Sequence, residues 1–277
     1  MVKLYYYILQ RRKYISMKPP EYATGITANI SDISPNFYRA HAPRYAEINK
    51  LGLQRTYVGA SHAGLKGNHS LMKHLKKLTW GIRGLDAGCG AGAIDVARLV
   101  EDGYDICGID VIHENIQMGI DYYPHLKDRL WTANLAEKLF FPDQTFDFVI
   151  CNAVIQHILP SKVYSTTLPE LVRVLKPGGI LQIMFKVGKG IRTVFDENYR
   201  ERRDFQLFQE HKILTHLSKN GMNLIESQEE EELSGLMYFT NPKGDKNCVF
   251  YTRKTGWVEN LNLNLPEDDI QSVKLTS

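Results

Sequence analysis

The chain has 277 residues, of which 43% are hydrophobic and 23% are charged, and its formal net charge is +3. This length suits one large α/β domain with additions or two small domains, and the small charge gives no argument for nucleic-acid binding. The four cysteines are widely spaced and form no CxxC or Cys/His pair. This spacing argues against a zinc site or a disulfide framework and indicates reduced thiols, so we expect no bound metal.

Residues 1–34 are expected to form an irregular N-terminal extension, because the part from Lys18 onward is rich in Pro, Thr, Ser and Asn. An apolar patch near Met1 precedes Arg11-Arg12-Lys13, which reverses the charge order of a signal peptide. No stretch reaches the roughly 18–20 apolar residues of a membrane span. We therefore expect a cytoplasmic protein, with either Met1 or Met17 as its natural start.

Residues 35–80 are expected to form N-terminal helices joined by a loop. The part 35–51 mixes aromatic and charged residues and is expected to be partly helical, with an end near Gly52. The stretch 56–69 has too many glycines for a helix and too little alternation for a strand. A long connection of this kind is usually functional or disordered. A short helix is expected over 70–78, because its apolar residues recur at helical spacing.

The stretch 84–92, Gly-Leu-Asp-Ala-Gly-Cys-Gly-Ala-Gly, is the clearest feature of the chain. A short apolar run enters it at Ile82, and an amphipathic helix over 93–100 leaves it. A strand, a glycine turn and a helix in this order gather unpaired backbone N–H groups where a polar or anionic ligand can approach closely. With Asp110 downstream, the turn also fits a loose dinucleotide fingerprint, in which the acid bonds a ribose.

Strands and helices alternate after the glycine turn. Strands are predicted over 105–110, 130–134, 146–152 and 180–185, and helices over 113–122 and 168–175. Later elements are a helix over 210–219, strands over 223–227 and 247–252, and a polar tail over 256–277. This alternation predicts a doubly wound, parallel sheet.

A charged insertion is predicted over 188–209. Its arginines could meet an anionic substrate, but they are interleaved with acidic residues. The pattern therefore favours a solvent-exposed helix with internal ion pairs.

Four motifs in order carry a family resemblance: Leu85–Gly92; Gly108-Ile109-Asp110; 139–149 (LFFPDQTFDFV); and 175–179 (LKPGG). With them the chain resembles the class I S-adenosylmethionine-dependent methyltransferases over about residues 71–185. The resemblance implies an α/β fold with a doubly wound, mostly parallel seven-stranded sheet, Rossmann-like, with helices on both faces. It also implies one methyltransferase domain over 35–255, with S-adenosylmethionine (SAM) as cofactor and S-adenosylhomocysteine (SAH) as product.

The resemblance assigns cofactor-binding roles to several residues. Gly88 and Gly90 would let the backbone approach the methionine part of the cofactor, while Asp86 orders the turn and reaches the amino group. Asp110 would accept both ribose hydroxyls. The structural alternatives are that Asp86 only caps a turn and that Asp110 is an ordinary acid at the end of a strand.

The adenine and sulfonium contacts follow from later motifs. The family commonly carries an acid at the end of the third strand for the adenine amino group, and Asn134, followed by Leu135, stands there in this chain. An amide oxygen can still accept, although Asn is also common at turns for its own sake. Asn152 ends the fourth strand, beside the expected sulfonium.

Methyl transfer is an in-line displacement, so the protein mainly has to align a nucleophile and, for some acceptors, remove its proton. Histidine is the usual general base, and His157 and His62 are the candidates, although a lone histidine is more often structural. His113 is expected near the adenosine. In the family, the segment before the first strand often folds over the cofactor. Residues 45–69 are therefore a candidate lid, with Tyr57, His62 and Asn68 as polar contacts, or else an ordered surface loop.

The leading hypothesis is a methyltransferase that acts on an oxygen or nitrogen of a small-molecule acceptor. A nucleic-acid methyltransferase is the second, although Asn152 is not followed by the Pro-Pro-aromatic run that grips a flipped base. A nicotinamide-dependent oxidoreductase and a cofactor-binding protein without turnover are the third and fourth. The acceptor itself is not encoded in these motifs.

Overall fold

The computed structural model describes residues 35–52, 57–227, 233–241 and 244–256. The predicted N-terminal extension, the tail beyond Gly256 and the acidic run at 229–232 lie outside these segments. The division of the chain into an extension, a domain and a tail therefore stays a prediction. None of the helices in the described segments has both the length and the apolar character of a membrane-spanning helix.

The elements follow one another in the predicted alternation. The helices are α1 (Pro35–Gly52), α2 (Asn68–Leu78), α3 (Ile94–Glu101), α4 (His113–Tyr122), α5 (Pro160–Lys162), α6 (Leu168–Val174) and α7 (Glu210–Lys219). The strands are β1 (Arg83–Ala87), β2 (Asp105–Asp110), β3 (Leu130–Thr132), β4 (Phe146–Asn152), β5 (Leu175–Lys186), β6 (Ile191–Asp196), β7 (Glu201–Gln206), β8 (Met222–Leu224), β9 (Leu236–Thr240) and β10 (Lys246–Lys254).

One sheet of eight strands organises the fold. Its order is β3-β2-β1-β4-β5-β10-β8, and β9 pairs with the other half of β10. The five neighbouring strands β3, β2, β1, β4 and β5 are parallel, whereas β10 runs antiparallel to β5, β8 and β9. This arrangement confirms the doubly wound, mostly parallel fold with helices on both faces. The eighth strand, β9, was not predicted.

The order of the strands places the ligand cleft. The chain leaves β1 for β2 on one side, while β4 pairs with β1 on the other side. In a sheet of this kind, the crevice outside the carboxyl ends of the strands at such a switch point is where ligands bind. The glycine turn after β1, Asp110 at the end of β2 and Asn152 at the end of β4 all lie at this edge.

Apolar clusters cover both faces of the sheet. On one face, Leu171 of α6 and Ile213 of α7 pack against the sheet residues. On the other face, Leu75 of α2 and Leu99 of α3 do so. Phe148 of β4, on this second face, is buried against the backbone of Gly84 on the neighbouring strand. These two layers fix the strands whose ends carry the polar residues of the cleft.

The prediction for the insertion was wrong: 188–209 contains the β-hairpin β6–β7 and not a charged helix. Thr193, Val194 and Phe195 favour a strand, and buried and exposed positions alternate along β7 up to Phe205. The opposite charges that suggested a helix pair across the hairpin instead, as Arg203 does with Asp196 over 2.8 Å. A mixture of signs is compatible with either structure, and the β-branched centre of the segment was the better guide.

Candidate functional site

The glycine turn is held against the end of β2 by backbone hydrogen bonds. The N–H groups of Gly88 and Cys89 donate to the Ile109 carbonyl over 2.8 and 2.9 Å. The N–H of Gly90 donates to Asp110 Oδ2 over 3.0 Å. Gly88 has a φ of 91° and Gly90 a φ of 64°, both in the region that favours glycine. The turn and the end of β2 therefore form one unit at the carboxyl edge of the sheet.

Replacing Gly88 by alanine is expected to destabilise the fold and weaken ligand binding. The added Cβ would lie 2.4 Å from Val154 Cγ2, at a φ of 91°. The matched control is Gly103→Ala, which has a φ of 86° and open space around its Cβ. Backbone strain costs each variant about 1–2 kcal/mol, and the collision adds roughly 1–3 kcal/mol in Gly88→Ala alone. Urea unfolding of both variants measures the difference, and equal losses would contradict the collision.

Asp110 is a carboxylate that the chain itself has ordered. It accepts hydrogen bonds from the N–H of Gly90, from the N–H of Ile112 over 2.9 Å and from Asn115 Nδ2 over 3.1 Å. Burial raises the pKa of Asp110, although these three bonds oppose the shift. Asn115 is 2% exposed, and its Oδ1 has no hydrogen-bond partner among the described residues. A buried acceptor without a partner points to a donor supplied by a ligand.

The first cavity opens beside Asp110. Helix α1 packs against α4 and brings Tyr38 and Tyr45 to the rim of this cavity. Val154 and His157, from the segment after β4, form another part of the wall. The predictions placed His157 in this region but missed Tyr38. The only signal for Tyr38 was the mixture of aromatic and charged residues in 35–51.

Asn134 and Leu135 also line the first cavity, at the turn after β3. Asn134 Oδ1 accepts the N–H of Ala136 over 2.9 Å, and Asn134 Nδ2 donates to Glu137 Oε1 over 3.1 Å. Its side chain therefore already stabilises the turn. The N–H of Leu135 forms no hydrogen bond with another described residue. Its role and that of Asn134 toward a ligand stay predictions.

The second cavity shares with the first the lining residues Tyr45, Gly88, Gly90, Asn152 and Ala153. Asn152 Oδ1 accepts a hydrogen bond from Gln182 Nε2 over 3.1 Å. The second cavity has an unusually amide-rich wall that the sequence did not reveal. Its carboxamide residues are Asn49, Asn68, Asn152, Gln156, Asn241 and Asn247.

Two carboxyl groups face the second cavity, Asp86 at the end of β1 and Asp95 in the first turn of α3. Asp86 is 4% exposed, and its carboxyl group accepts no hydrogen bond from another described residue. Burial raises its pKa well above the usual range, and the charges of Asp95 and Asp110 add to this effect. Burial also raises the pKa of Asp95, while Arg98 opposes the shift. A site of this kind attracts a cation, because a bound positive charge removes the cost of the buried carboxylates.

His157 lies in the wall of the first cavity. Its Nε2 lies 2.9 Å from the Tyr38 hydroxyl, and its ring packs against Phe205. Burial, together with the charges of Arg203 and Lys186, lowers the pKa of His157 to about 3. A base must have a pKa near the working pH to be effective. This environment favours a neutral ring and argues against a general base, and the catalytic role of His157 stays a prediction.

His62 lies outside the lining of both cavities in the described part of the chain. Its Nδ1 accepts the N–H of Gly64 over 2.9 Å within the predicted lid. The lid itself is attached to the sheet edge, because Val58 pairs with Thr240 of β9. Tyr57 and Asn68 do line the second cavity. The structure thus brings two of the three predicted lid contacts to the cleft and gives His62 no contact with it.

The low pKa of His157 predicts a specific pH dependence of stability. Between its unfolded pKa of 6.5 and its folded pKa of about 3, the unfolded chain binds a proton that the folded chain does not. The free energy of unfolding therefore falls as the pH is lowered, by about 1.4 kcal/mol per pH unit. From pH 7 to pH 5, His157→Gln is expected to lose about 2 kcal/mol less than the wild type. Urea unfolding at both pH values measures this, with exposed His125→Gln as the control that keeps the wild-type slope.

Arg203 joins the helix α1 to the hairpin beside His157. Its guanidinium pairs with Asp196 and donates to the Tyr38 hydroxyl. It lies within 5.3 Å of the centres of four aromatic rings. These rings belong to Phe37, Tyr38, Tyr199 and Phe205. Cation–π contacts and a buried ion pair thus hold Tyr38 at the rim of the first cavity.

Comparison with known proteins gives a consistent result. Residues 85–183 match the family model described as a methyltransferase domain. The 2-methyl-6-phytyl-1,4-hydroquinone methyltransferase of Synechocystis is 30% identical over 36% of this chain and 30% of its own length. Phosphoethanolamine N-methyltransferase 2 of Caenorhabditis elegans is 26% identical over 74% of this chain and 51% of its own length. The chain thus spans no more than about half of either relative.

Solved structures show the same fold at low identity. The 1,6-didemethyltoxoflavin-N1-methyltransferase of Burkholderia thailandensis, solved with bound 1,6-didemethyltoxoflavin and SAH, has a TM-score of 0.53 and 20% identity. The match covers 80% of this chain and 91% of that one. The [4+2]-cyclase SpnF has a TM-score of 0.54 and 17% identity, over 80% of this chain and 94% of that one. A cyclase on the same fold shows that the fold alone does not determine the reaction.

Proposed function

We propose that this chain is a class I S-adenosylmethionine-dependent methyltransferase and that it transfers a methyl group from SAM to an oxygen or nitrogen of a small polar acceptor. The observation that supports this most is the pair of connected cavities. The first adjoins Asp110 and the unpartnered Asn115 Oδ1, while the second adjoins Asp86 and an amide-rich wall. The polar groups of the first cavity suit a nucleoside, and those of the second suit an ammonium group together with an acceptor.

The residues at the first cavity fit an adenosine. Beyond its three bonds to the chain, Asp110 keeps one lone pair, on Oδ2, for a ribose hydroxyl, and Asn115 Oδ1 can accept from the other hydroxyl. The free N–H of Leu135 can donate to an adenine ring nitrogen. The side-chain oxygen of Asn134 already accepts one hydrogen bond and could offer only its second lone pair to adenine. We therefore assign the adenine contact mainly to the backbone of Leu135.

The residues at the junction of the cavities fit the methionine part. Gly88 and Gly90 leave space that a Cβ would fill, because a Cβ on Gly90 would lie 3.4 Å from Tyr45 Oη. Asp86, which is buried and has no protein donor, can accept the amino group. A bound ammonium group would balance the negative charge of the buried carboxylate. Cofactor binding is therefore expected to favour the ionised form of Asp86, and ionisation of Asp86 is expected to strengthen cofactor binding.

When bound, SAM supplies an activated methyl group on a sulfonium, so the protein needs no activating metal or covalent nucleophile of its own. The chain's contribution is position: Asn152 and Ala153, at the junction of the cavities, lie where the methyl group and the acceptor must meet. Ala153 has a φ of 59°, a strained backbone of the kind that clusters at functional sites. In-line alignment supplies most of the rate when the electrophile is already reactive.

No histidine of the described residues lines the second cavity. Its acidic groups are Asp86 and Asp95, whose pKa values burial raises from the ordinary carboxyl range. A carboxylate with a raised pKa is a better proton acceptor than an exposed one. With Asp86 assigned to the cofactor, Asp95 is the candidate that accepts a proton from a hydroxyl or ammonium acceptor.

A small acceptor is favoured over nucleic acid by the shape of the second cavity. Helix α1 and the lid close over it, so that Tyr45, Asn49 and Tyr57 form part of its wall. The relatives named above act on a hydroquinone, on phosphoethanolamine and on a toxoflavin precursor, all small molecules. We also infer a reducing compartment such as the cytoplasm, since all four cysteines are free thiols.

Calorimetry with SAH and with NAD tests the proposal. We expect SAH to bind at one site and NAD not to bind at the same concentrations. Binding of NAD without SAH would overturn the assignment in favour of an oxidoreductase. For the nucleic-acid alternative, an RNA shift that weakens steeply with salt would contradict a small-molecule acceptor. Transfer of a labelled methyl group from SAM to a fraction of a metabolite extract then identifies the acceptor.

A further inference from the structure

The wall of the second cavity that lies away from the cofactor contains a single basic group among the described residues, Lys186 at the end of β5. Lys186 stands two residues beyond Met184, which pairs with Asn152 in the sheet. Its position is therefore just outside the carboxyl edge, on the acceptor side of the junction. A lysine that is 5% exposed is uncommon in a protein interior and requires a partner.

The charge of Lys186 is held by an ion pair behind the cavity wall. Lys186 Nζ lies 2.5 Å from Asp245 Oδ2 and 4.6 Å from the centre of the Phe205 ring. Asp245 does not line the cavity, whereas Lys186 does. Asp245 also pairs with Arg192 over 3.0 Å and accepts from Asn241 Nδ2 over 3.1 Å. Two cations therefore share one carboxylate, and the excess positive charge is nearest the cavity at Lys186.

Gln156 places a second donor beside Lys186. The backbone N–H of Lys186 donates to Gln156 Oε1 over 3.2 Å. Because a backbone N–H can only donate, this bond fixes which end of the amide is the oxygen. The Gln156 amide nitrogen is then left on the same wall, and it forms no hydrogen bond with another described residue. Gln156 is 4% exposed and lines the cavity, so its amide nitrogen is available to a ligand that can accept a hydrogen bond from it.

We propose that Lys186 Nζ and Gln156 Nε2 form a subsite for an anionic group, a carboxylate or a phosphate, carried by the methyl acceptor. The proposal rests on the proposed function, which places the acceptor in the second cavity. A buried ammonium and a neutral amide donor on one wall suit an oxyanion, because both groups can donate to it at the same time. The subsite would hold the acceptor by its anionic end and leave the nucleophile toward Asn152.

Two other roles for Lys186 explain less. A purely structural ion pair with Asp245 would not require the unused Gln156 donor on the same wall. A general base would have to be neutral, but the Asp245 carboxylate favours the charged form of Lys186 and opposes the pKa lowering that burial causes. The anionic subsite uses both the charge and the donor.

Calorimetric titration of the SAH-bound protein with sodium phosphate and with sodium acetate, at constant ionic strength, tests the subsite. The central variant is Gln156→Glu, which keeps an oxygen for the Lys186 N–H and replaces the free donor by a carboxylate. The second is Lys186→Met with Asp245→Asn, which removes the pair without leaving a buried charge. The control is Lys189→Met, which removes an equal charge from an exposed position nearby. SAH binding and the melting temperature are measured for every variant.

We expect at least one of the two anions to bind the wild type at one site. Its dissociation constant is expected to rise by roughly tenfold or more in both test variants. Lys189→Met should keep the wild-type affinity. Tighter binding of phosphate assigns a phosphorylated acceptor, and tighter binding of acetate assigns a carboxylic acid. SAH binding without binding of either anion would overturn the subsite and leave the proposed function standing. Equal weakening in Lys189→Met would also overturn it, and failure of SAH binding in the wild type would overturn the proposed function itself.

Discussion

Replacing Asp110 by alanine is expected to raise the dissociation constant for SAH by roughly 100-fold, or about 3 kcal/mol. Beyond its three bonds to the chain, the side chain has a lone pair of Oδ2 available for a ribose hydroxyl, and hydrogen bonds to a charged group are the stronger ones. The variant also loses the bond that fixes Gly90 and the bond from Asn115 Nδ2. The glycine turn and the ribose site are therefore expected to weaken together.

Two comparisons separate ligand contact from loss of the fold. Asp110→Asn keeps the size of the side chain and one acceptor oxygen, so it should bind SAH better than Asp110→Ala and less well than the wild type. Asp121→Ala removes an exposed carboxylate from α4 and should leave the affinity unchanged. Calorimetry and a melting curve for each variant provide the data. An unchanged affinity in a folded Asp110→Ala variant would show that the ribose is held elsewhere.

The cofactor half of the cleft could be predicted because its parts are short and local. Asp86, Gly88 and Gly90 lie within five residues of one another, and their roles depend on a single turn. Asp110 follows because parallel strands end at one edge of the sheet. The bounds of β2, β4, α4 and α7 agree with the predicted ranges, since each has either strand-like or helical periodicity over its whole length.

The acceptor half could not be predicted, because it is assembled from segments that are far apart in the chain. Lys186, Gln156, Asn49 and Asn247 come from four different elements, and none stands in a recognisable motif. Strand β9 was missed for a similar reason, since five residues after an acidic run carry little signal and gain their structure from pairing with β10. Side chains that are brought together only by strand pairing produce no motif within a short stretch of sequence.

His157 illustrates the limit of residue type as evidence. Its place shortly after β4 was read correctly, but a base also requires an environment that keeps its pKa near neutrality. Here burial, together with the charges of Arg203 and Lys186, lowers the pKa to about 3. Residues far away in sequence create this environment: Arg203 lies 46 residues from His157, and Tyr38, whose hydroxyl contacts the ring, lies 119 residues away. The contact between Arg203 and Tyr38 also identifies Arg203 as the residue on which we expect the cover of the first cavity to depend.

Arg203→Met is expected to reduce the free energy of unfolding by about 3 kcal/mol, because it leaves a buried carboxylate without its cation. Asp196 is 1% exposed, and its carboxylate also accepts a hydrogen bond from the N–H of Asn198 over 3.2 Å. Burial opposes the charge of Arg203, but the Tyr38 hydroxyl and the Asp196 carboxylate raise its pKa overall. The charge is therefore retained at every accessible pH. Urea unfolding measures the loss.

The neighbouring arginine provides the matched control. Arg202 pairs with Phe195 in the hairpin register and is exposed, so Arg202→Met should change stability by no more than about 0.5 kcal/mol. Adding Asp196→Asn to Arg203→Met should restore part of the loss, since the double variant has no unpaired buried charge. Equal stability of the two methionine variants would show that the ion pair contributes little.

The same variant tests whether the hairpin supports the cofactor site. Arg203 itself lines neither cavity, but its guanidinium donates a hydrogen bond to the hydroxyl of Tyr38, and Tyr38 lines the first cavity. If this contact positions the tyrosine, the double variant Arg203→Met with Asp196→Asn, once refolded to near wild-type stability, should still bind SAH less tightly than Arg202→Met does. If SAH affinity instead follows stability alone across the series, Arg203 is a structural residue, and α1 covers the adenosine without help from the hairpin.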